Sequence, residues 1–260
     1  MGLLTKEIAF SKYDIKRNIK LPKKITPELA ELIGIVIGDG NIYMKNNRYE
    51  LHIYGDIKED KEYHEKKILK LLDDLFNAKT SSKIKHFKNG GCRKITFESK
   101  AITSFLTRVI GLNAGRKENI QIPKVITSGG DKIIYNFIRG LADTDFTIKF
   151  KTRYRKKNYY PIIIGHFGDK KLVYQLNKLF EKIDFHSHIE KRNRHNKDTG
   201  KSYEGYSVNI VGKENIDRWM RKIGFNNKRH LIRYQVWKKL GFCPPHTNIS
   251  KGESLLNKNL

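Results

Sequence analysis

LIGIVIGDG, from Leu32 to Gly40, is an apolar run with two glycines four apart, and it ends in Asp-Gly. A related stretch, IRGLADTDF, runs from Ile138 to Phe146. Residues four apart share one face of a helix. Gly34 and Gly38, like Gly140 and Thr144, therefore leave a face on which another backbone can come close. If those two faces pack together, the helix C-termini meet and bring Asp39 beside Asp145. Each carboxylate then faces the negative end of its own helix dipole and the charge of the other acid. A hard divalent cation removes that conflict, since magnesium commonly takes one or two carboxylates plus waters and phosphate oxygens. Metal held by such acids can activate water and stabilise a leaving oxygen, which is the chemistry of phosphodiester hydrolysis.

Other matches surround these two stretches in the same order in both halves. Tyr49-x-Leu51-x-Ile53 resembles Tyr160-x-Ile162-x-Ile164. LDDLF (Leu72 to Phe76) resembles LNKLF (Leu176 to Phe180). Arg108-x-Ile110-Gly111-Leu112-Asn113 matches Arg221-x-Ile223-Gly224-Phe225-Asn226. The offsets drift by a few residues, as loop-length differences would produce, so the chain reads as an internal repeat.

Thr26 is a suitable N-cap and Pro27 a good first helical residue, which predicts a helix to about Gly38. Period-2 alternation then predicts strands at Ile42–Met44 and Tyr49–Ile53, a charged helix over Glu59–Phe76, and a hairpin from Lys83 to Phe97. A further helix is expected at Ala101–Ile110. The second copy reads as a helix capped by Asp131 and ending near Asp145. Strands at Phe146–Tyr154 and Tyr160–His166, a helix at Lys170–Ile183 and a hairpin over His186–Val211 follow. Helices at Lys213–Ile223 and Lys228–Leu240 complete it. The expected organisation is a basic extension over 1–25, repeat one over 26–120, a linker at 121–130, repeat two over 131–243, and a polar, mobile tail over 244–260.

Lys and Arg number 53 against 27 Asp and Glu, for a formal net charge of +26 over 260 residues. Such a charge repels itself and calls for a polyanionic partner, nucleic acid first. No apolar run approaches the roughly 20 residues of a membrane span, and the first 25 residues lack the apolar core of a signal peptide. Cys92 and Cys243 are too few and too far apart for a disulfide framework or a zinc set. His186, His188 and His195 have no cysteine nearby, and their strand context favours nucleic-acid contacts over zinc. An intracellular, cytoplasmic and nucleoid-associated protein without membrane attachment is expected.

Two such motifs, each followed by hairpins in a basic chain, resemble the signature motifs of single-chain LAGLIDADG homing endonucleases; Gly140-Leu141-Ala142-Asp143-Thr144-Asp145 is the closer match. The resemblance implies an α+β fold of two pseudo-twofold αββαββα repeats. Their antiparallel sheets would form a DNA-binding saddle, with the motif helices packed at the repeat interface. It also implies a monomer that makes a staggered double-strand break in a long pseudo-palindromic DNA target, tied to intron or intein mobility. Asp39 and Asp145 would be both catalytic and metal-binding, with Mg2+ as cofactor and Mn2+ able to replace it.

The family usually completes its site with a Lys near the end of the second strand of each repeat. The matching stretches, Ile53-Tyr54-Gly55-Asp56 and Ile164-Gly165-His166-Phe167-Gly168-Asp169, have none. His166 is the candidate to organise or deprotonate water, with Lys94 and Lys58 as weaker stand-ins. Alternation puts Phe146, Ile148 and Phe150 on one face of a strand and Lys149, Lys151, Arg153 and Arg155 on the other. With Arg48, His52, Tyr54, Lys83, Lys85, Lys94, Arg192 and Arg194 these form the expected DNA contacts, since a β-ribbon carrying long polar side chains fits a major groove. The alternative reading is a cleavage-deficient nucleic-acid binder or a maturase acting on intron RNA.

Overall fold

The computed structural model describes residues 2–5, 7–78, 83–86, 91–195, 200 and 202–257, excepting the side chains of residues 83–86, 194, 195 and 203. Its contacts divide into two compact units, Met1–Thr144 and Asp145–Leu260.

In the first unit, α2 (Pro27–Gly38) begins as its sequence predicts. Thr26 is extended and its hydroxyl accepts from Leu29 N at 3.2 Å. The chain enters β1 (Gly40–Lys45) directly, turns at Asn46-Asn47, both at positive φ, and returns as β2 (Arg48–Asp56). A π-helical turn, Tyr63–Ile68, leads into α3 (Leu69–Phe76). Strands β3 (Lys83–His86) and β4 (Cys92–Glu98) follow, and the antiparallel sheet has the order β1-β2-β4-β3. The connection of the expected Lys83–Phe97 hairpin, residues 87–90, lies outside the described residues. Helix α4 (Lys100–Ser104) continues as a π-turn to Val109. The segment read as a linker contains α5 (Lys124–Thr127). Helix α6 (Asp131–Asp145) starts at Asp131 itself rather than being capped by it.

Helices α2 and α6 touch through their glycines. A Cβ on Gly34 would lie 2.2 Å from Phe137 O, and one on Gly140 would lie 2.1 Å from Glu31 O, so only hydrogen fits at either position. Beside the contact, buried Glu31 joins three helices, its carboxylate bonded to Arg139 of α6 at 3.0 Å and Lys67 before α3 at 2.9 Å.

The N-terminal extension is folded onto this unit. Ser11 caps α1 (Lys12–Lys16) in a reciprocal capping box with Asp14. The Asp14 carboxylate is fully buried and accepts from Ser11 N at 2.9 Å and from Ala101 N at 3.1 Å. Ile8 and Ile19 are buried, and Lys20 N donates to Phe76 O.

The second unit repeats the sheet. Strands β5 (Phe146–Arg153), β6 (Lys156–Phe167), β7 (His188–His195) and β8 (Ser202–Val211) take the order β5-β6-β8-β7, the counterpart of the first sheet. The β5–β6 turn is tighter than expected. Tyr154 and Arg155, at φ 48° and 61°, form a two-residue connection. Arg155 thus sits at a hairpin tip, not on a strand face. Helices α7 (Lys170–Lys182) and α8 (Lys213–Lys222) cover the apolar face, where Phe180 and Trp219 meet Phe146 at ring separations of 6.5 and 6.1 Å. Helix α9 (Lys228–Leu240) stacks Trp237 on Phe150. The tail expected to be mobile instead forms α10 (Ile249–Asn257), whose Gly252 lies against Ile232. No helix among the described residues is long and apolar enough to cross a membrane.

Gly140→Ala forces a methyl into the Glu31 carbonyl and should cost about 1–3 kcal/mol in urea unfolding. Gly168→Ala, which meets no atom within 4 Å, serves as the near-neutral control. Burial raises the Asp14 pKa, but hydrogen bonds from Ser99, Ser11 and Ala101 outweigh it and leave the group below its ordinary 3.8. Its contribution to stability is therefore complete above that value and fades as pH falls through the lowered folded pKa. Asp14→Asn should lower Tm at pH 7 and flatten the acid limb of Tm against pH below about 4.

Candidate active site and nucleic-acid face

Each motif helix delivers its aspartate to the start of a sheet. Asp39 is the C-cap of α2, with its N–H on Ile35 O and its own carbonyl accepting from Tyr54 N at 3.0 Å. Asp145 is the last residue of α6, and β5 begins at the next position. Each lies five residues beyond its contact glycine, Gly34 or Gly140. Both are half-buried.

The residues after the two aspartates differ for packing reasons. A Cβ on Gly40 would lie 2.5 Å from Val36 Cα, so α2 turns into β1 too closely for a side chain. Phe146 has room because its partner in β6 is Gly165, where a Cβ would lie 2.7 Å from the Phe146 ring. The glycine has moved to the opposite strand, and Phe146 anchors the second core.

Sequence reasoning missed Lys117. It comes from the loop after α4, and its Nζ donates to Ile37 O at 2.9 Å and also to Gly38 O, the two carbonyls before Asp39. A cation there satisfies orphan carbonyls and opposes the negative helix end. The loop is held by Gly115 N on Ile42 O and by Asn41 Nδ2 on Gly115 O. No local pattern marks Lys117, because its partners lie 80 and 79 residues away. Asp143 and Tyr63 were missed as well. Burial, followed by the charges of Asp143, Glu31 and Asp39, holds the Tyr63 phenol well above its ordinary pKa and so protonated.

Cross-strand register sorts the predicted contacts. In the first sheet, Ile42–Leu51–Phe97 and Ile53–Ile95 form buried rows, while Asn41–His52–Thr96, Tyr54–Lys94 and Lys45–Arg48 fall on the other face. The Lys94 ammonium lies 5.8 Å from the Tyr54 ring centre. His52 is tied to Glu50 at 2.7 Å. Lys83 and Lys85 pair with Thr96 and Lys94, so their register position matches; the side chains of Lys83, Lys85 and Arg194 lie outside the described residues. Lys58 falls in the turn after β2, away from the strand rows.

In the second sheet, Thr147, Lys149, Lys151 and His166 share the face opposite Phe146 and Ile148. Lys149, Lys151 and Arg153 are exposed, and Arg192 is bonded to Glu190 at 2.7 Å. Gly40 pairs with Ile53 and Phe146 with Gly165, so Tyr54 and His166 hold equivalent positions one residue further on. Their neighbours in β4 and β8 are Lys94 and Ser207. One junction therefore has a tyrosine beside a lysine where the other has an imidazole beside a serine.

Among the described residues, no group of three or more His, Cys, Asp or Glu could hold a metal ion. Lone carboxylates suit a hard cation that keeps most of its waters and takes substrate phosphates, as magnesium does, better than zinc. Asp39 and Asp145 supply ligands of the right kind.

The family model for the LAGLIDADG-like domain matches residues 132–224. Among solved structures, mesophilic variants of the homing endonuclease I-DmoI are 18% identical with a TM-score of 0.51, covering 76% of this chain and 95% of theirs. The crystal structure of I-DmoI in complex with DNA and Mn is also 18% identical, with a TM-score of 0.50 over 76% of this chain and 96% of that one. The LAGLIDADG homing endonuclease I-GzeII in complex with its DNA target is 12% identical, with a TM-score of 0.50 over 84% and 90%. The probable translation initiation factor IF-2 of Methanocaldococcus jannaschii is 26% identical over 215 residues, or 81% of this chain. The match spans only 16% of that protein's length. With its α+β architecture and two equivalent antiparallel sheets, the chain has the fold of the single-chain LAGLIDADG homing endonucleases, and residues 132–224 match the LAGLIDADG-like domain.

Proposed function

We propose that the protein is a site-specific, metal-dependent DNA endonuclease of the homing type that makes a staggered double-strand break. The observation that carries this reading is the duplicated junction. Twice, a helix ends in an aspartate five residues past a contact glycine and feeds a four-stranded sheet of the same order, with cations on the face turned from the helices. Chains of this fold, I-DmoI and I-GzeII, have been crystallised with DNA. A formal charge of +26 supports a polyanionic substrate. Likeness confined to 16% of a translation factor is the pattern an inserted domain leaves, which supports mobility with a host gene as part of an intron or intein.

Asp39 and Asp145 are the residues that would hold Mg2+ or Mn2+. The ion, when bound, supplies Lewis-acid activation of water and charge stabilisation at the scissile phosphate. The chain's own residues do the rest. Lys117 offsets negative charge at the end of α2 and offers a cation toward the phosphate. His166 accepts a proton from water on its side, and on the other Lys94, beside the Tyr54 ring, offers a cation to the phosphate. Lys149, Lys151, Arg153, Arg48 and Arg192 bind backbone or base edges along the two sheets. One chain carries both half-sites, so it acts as a monomer on a long, partly symmetric duplex.

Incubation with Mg2+ and a host-genomic or randomised DNA library, followed by end sequencing, should give discrete staggered ends that disappear in chelator. Asp39→Asn or Asp145→Asn should abolish double-strand cutting while duplex affinity stays within about threefold. Cutting retained by either variant rejects the assignment, and salt-sensitive binding without cutting favours the binder or maturase reading. Lys117→Met should slow cleavage by about 10²–10³-fold, as loss of one charge-stabilising donor does, with duplex binding little changed. An unchanged rate would leave Lys117 as a helix cap alone.

A further inference from the structure

Beside the β5–β6 hairpin, the second unit has a groove of about 430 Å³ that none of the roles above uses. Its walls are aromatic: Tyr159, Tyr160 and Trp237. Its charged residues are Lys213, the first residue of α8, and Lys238, near the end of α9; among the described residues no carboxylate lines it. The walls are held in place. Trp237 Nε1 donates to Tyr159 O at 2.8 Å, and its ring stacks on Phe150 at 5.7 Å. The Lys238 ammonium stands 5.8 Å from the Trp237 ring centre, with Asp217 behind it at 3.3 Å. Tyr160 links the groove to the cationic face of the sheet. It pairs with Lys151 across β5, and the Arg153 guanidinium lies 4.5 Å over its ring.

Aromatic side chains with ammonium groups at their edge, and no acid in the lining itself, suit an unpaired nucleotide. Bases stack on rings without regard to sequence, and phosphates seek the cations. A stacked duplex offers no free base face to such a groove, whereas a single-stranded end does. We propose that this groove holds one unpaired nucleotide of single-stranded DNA, its base against the aromatic walls and its phosphate on Lys213 and Lys238. This rests on the DNA-directed reading of the sheets. Its role would be to retain a frayed or newly cut single-stranded end beside the hairpin.

The test compares full-length wild type with Lys213→Ala/Lys238→Ala and with Tyr160→Ala, using a labelled short oligo-dT and a labelled random duplex in anisotropy titrations. Lys171→Ala/Lys178→Ala, an exposed pair on α7, removes equal charge elsewhere. The groove variants should lose about tenfold in oligo-dT affinity, keep duplex affinity within about threefold, and retain the wild-type melting temperature. The α7 pair should lose no more than the general charge effect. Trp219 is 0% and Trp237 6% exposed, and Trp237 alone of the two lines the groove, so quenching of tryptophan emission by oligo-dT in wild type reports Trp237, and should fall in the variants. Equal oligo-dT affinity in groove and α7 variants, or duplex binding without oligo-dT binding in wild type, overturns the groove assignment alone. Wild type that binds neither DNA overturns it together with the DNA-directed reading. A preference of tenfold or more for oligo-U over oligo-dT overturns the assignment to DNA.

Discussion

The backbone contact between α2 and α6 is the constraint on which the first unit is built. Helices normally pack 8–10 Å apart, with side chains between them. Here Gly34 faces Phe137 O and Gly140 faces Glu31 O with no space for a methyl, so the register of the two helices is set by steric exclusion. Sequence distance then does the rest: five residues beyond each glycine stands an aspartate. The buried Glu31, bound to Arg139 and Lys67, adds a polar lock at the same level. Losing either cation would leave a buried charge undercompensated, which is far more harmful than the net worth of the pair.

Duplication preserved the frame and let the chemistry diverge. Both sheets share one strand order and one first-strand register, yet the positions flanking the two aspartates are not copies. Gly40 exists because α2 and β1 leave no room, whereas Phe146 exists because Gly165 makes room. Tyr54 with Lys94 and His166 with Ser207 are different environments at matched positions.

Segments that look peripheral in the sequence are structural. In the basic extension Asp14 is wholly buried and ties α1 to the start of α4. The polar tail forms α10, held by Gly252 on Ile232 and by a Lys228–Glu253 pair at 2.6 Å. In both cases a few interior contacts outweigh a polar composition, because the remaining polar residues face solvent at little cost.

The repeat, the element types, the motif helices with their glycines and aspartates, and the alternation on β5 were all legible in the sequence, because they are local periodicities. The shared sheet face of Arg48, His52 and Tyr54 was legible for the same reason, since side chains alternate along a strand. Arg155 was misread because a two-residue turn with positive φ is a matter of strand pairing rather than composition. Lys117, Asp143 with Tyr63, and the groove of Tyr159, Tyr160 and Trp237 were invisible, since each joins residues far apart in the chain. What the sequence determined alone was where helices and strands begin and which residues carry charge. Which distant side chains share an environment was decided only by tertiary packing, because burial and close approach depend on the folded path of the whole chain.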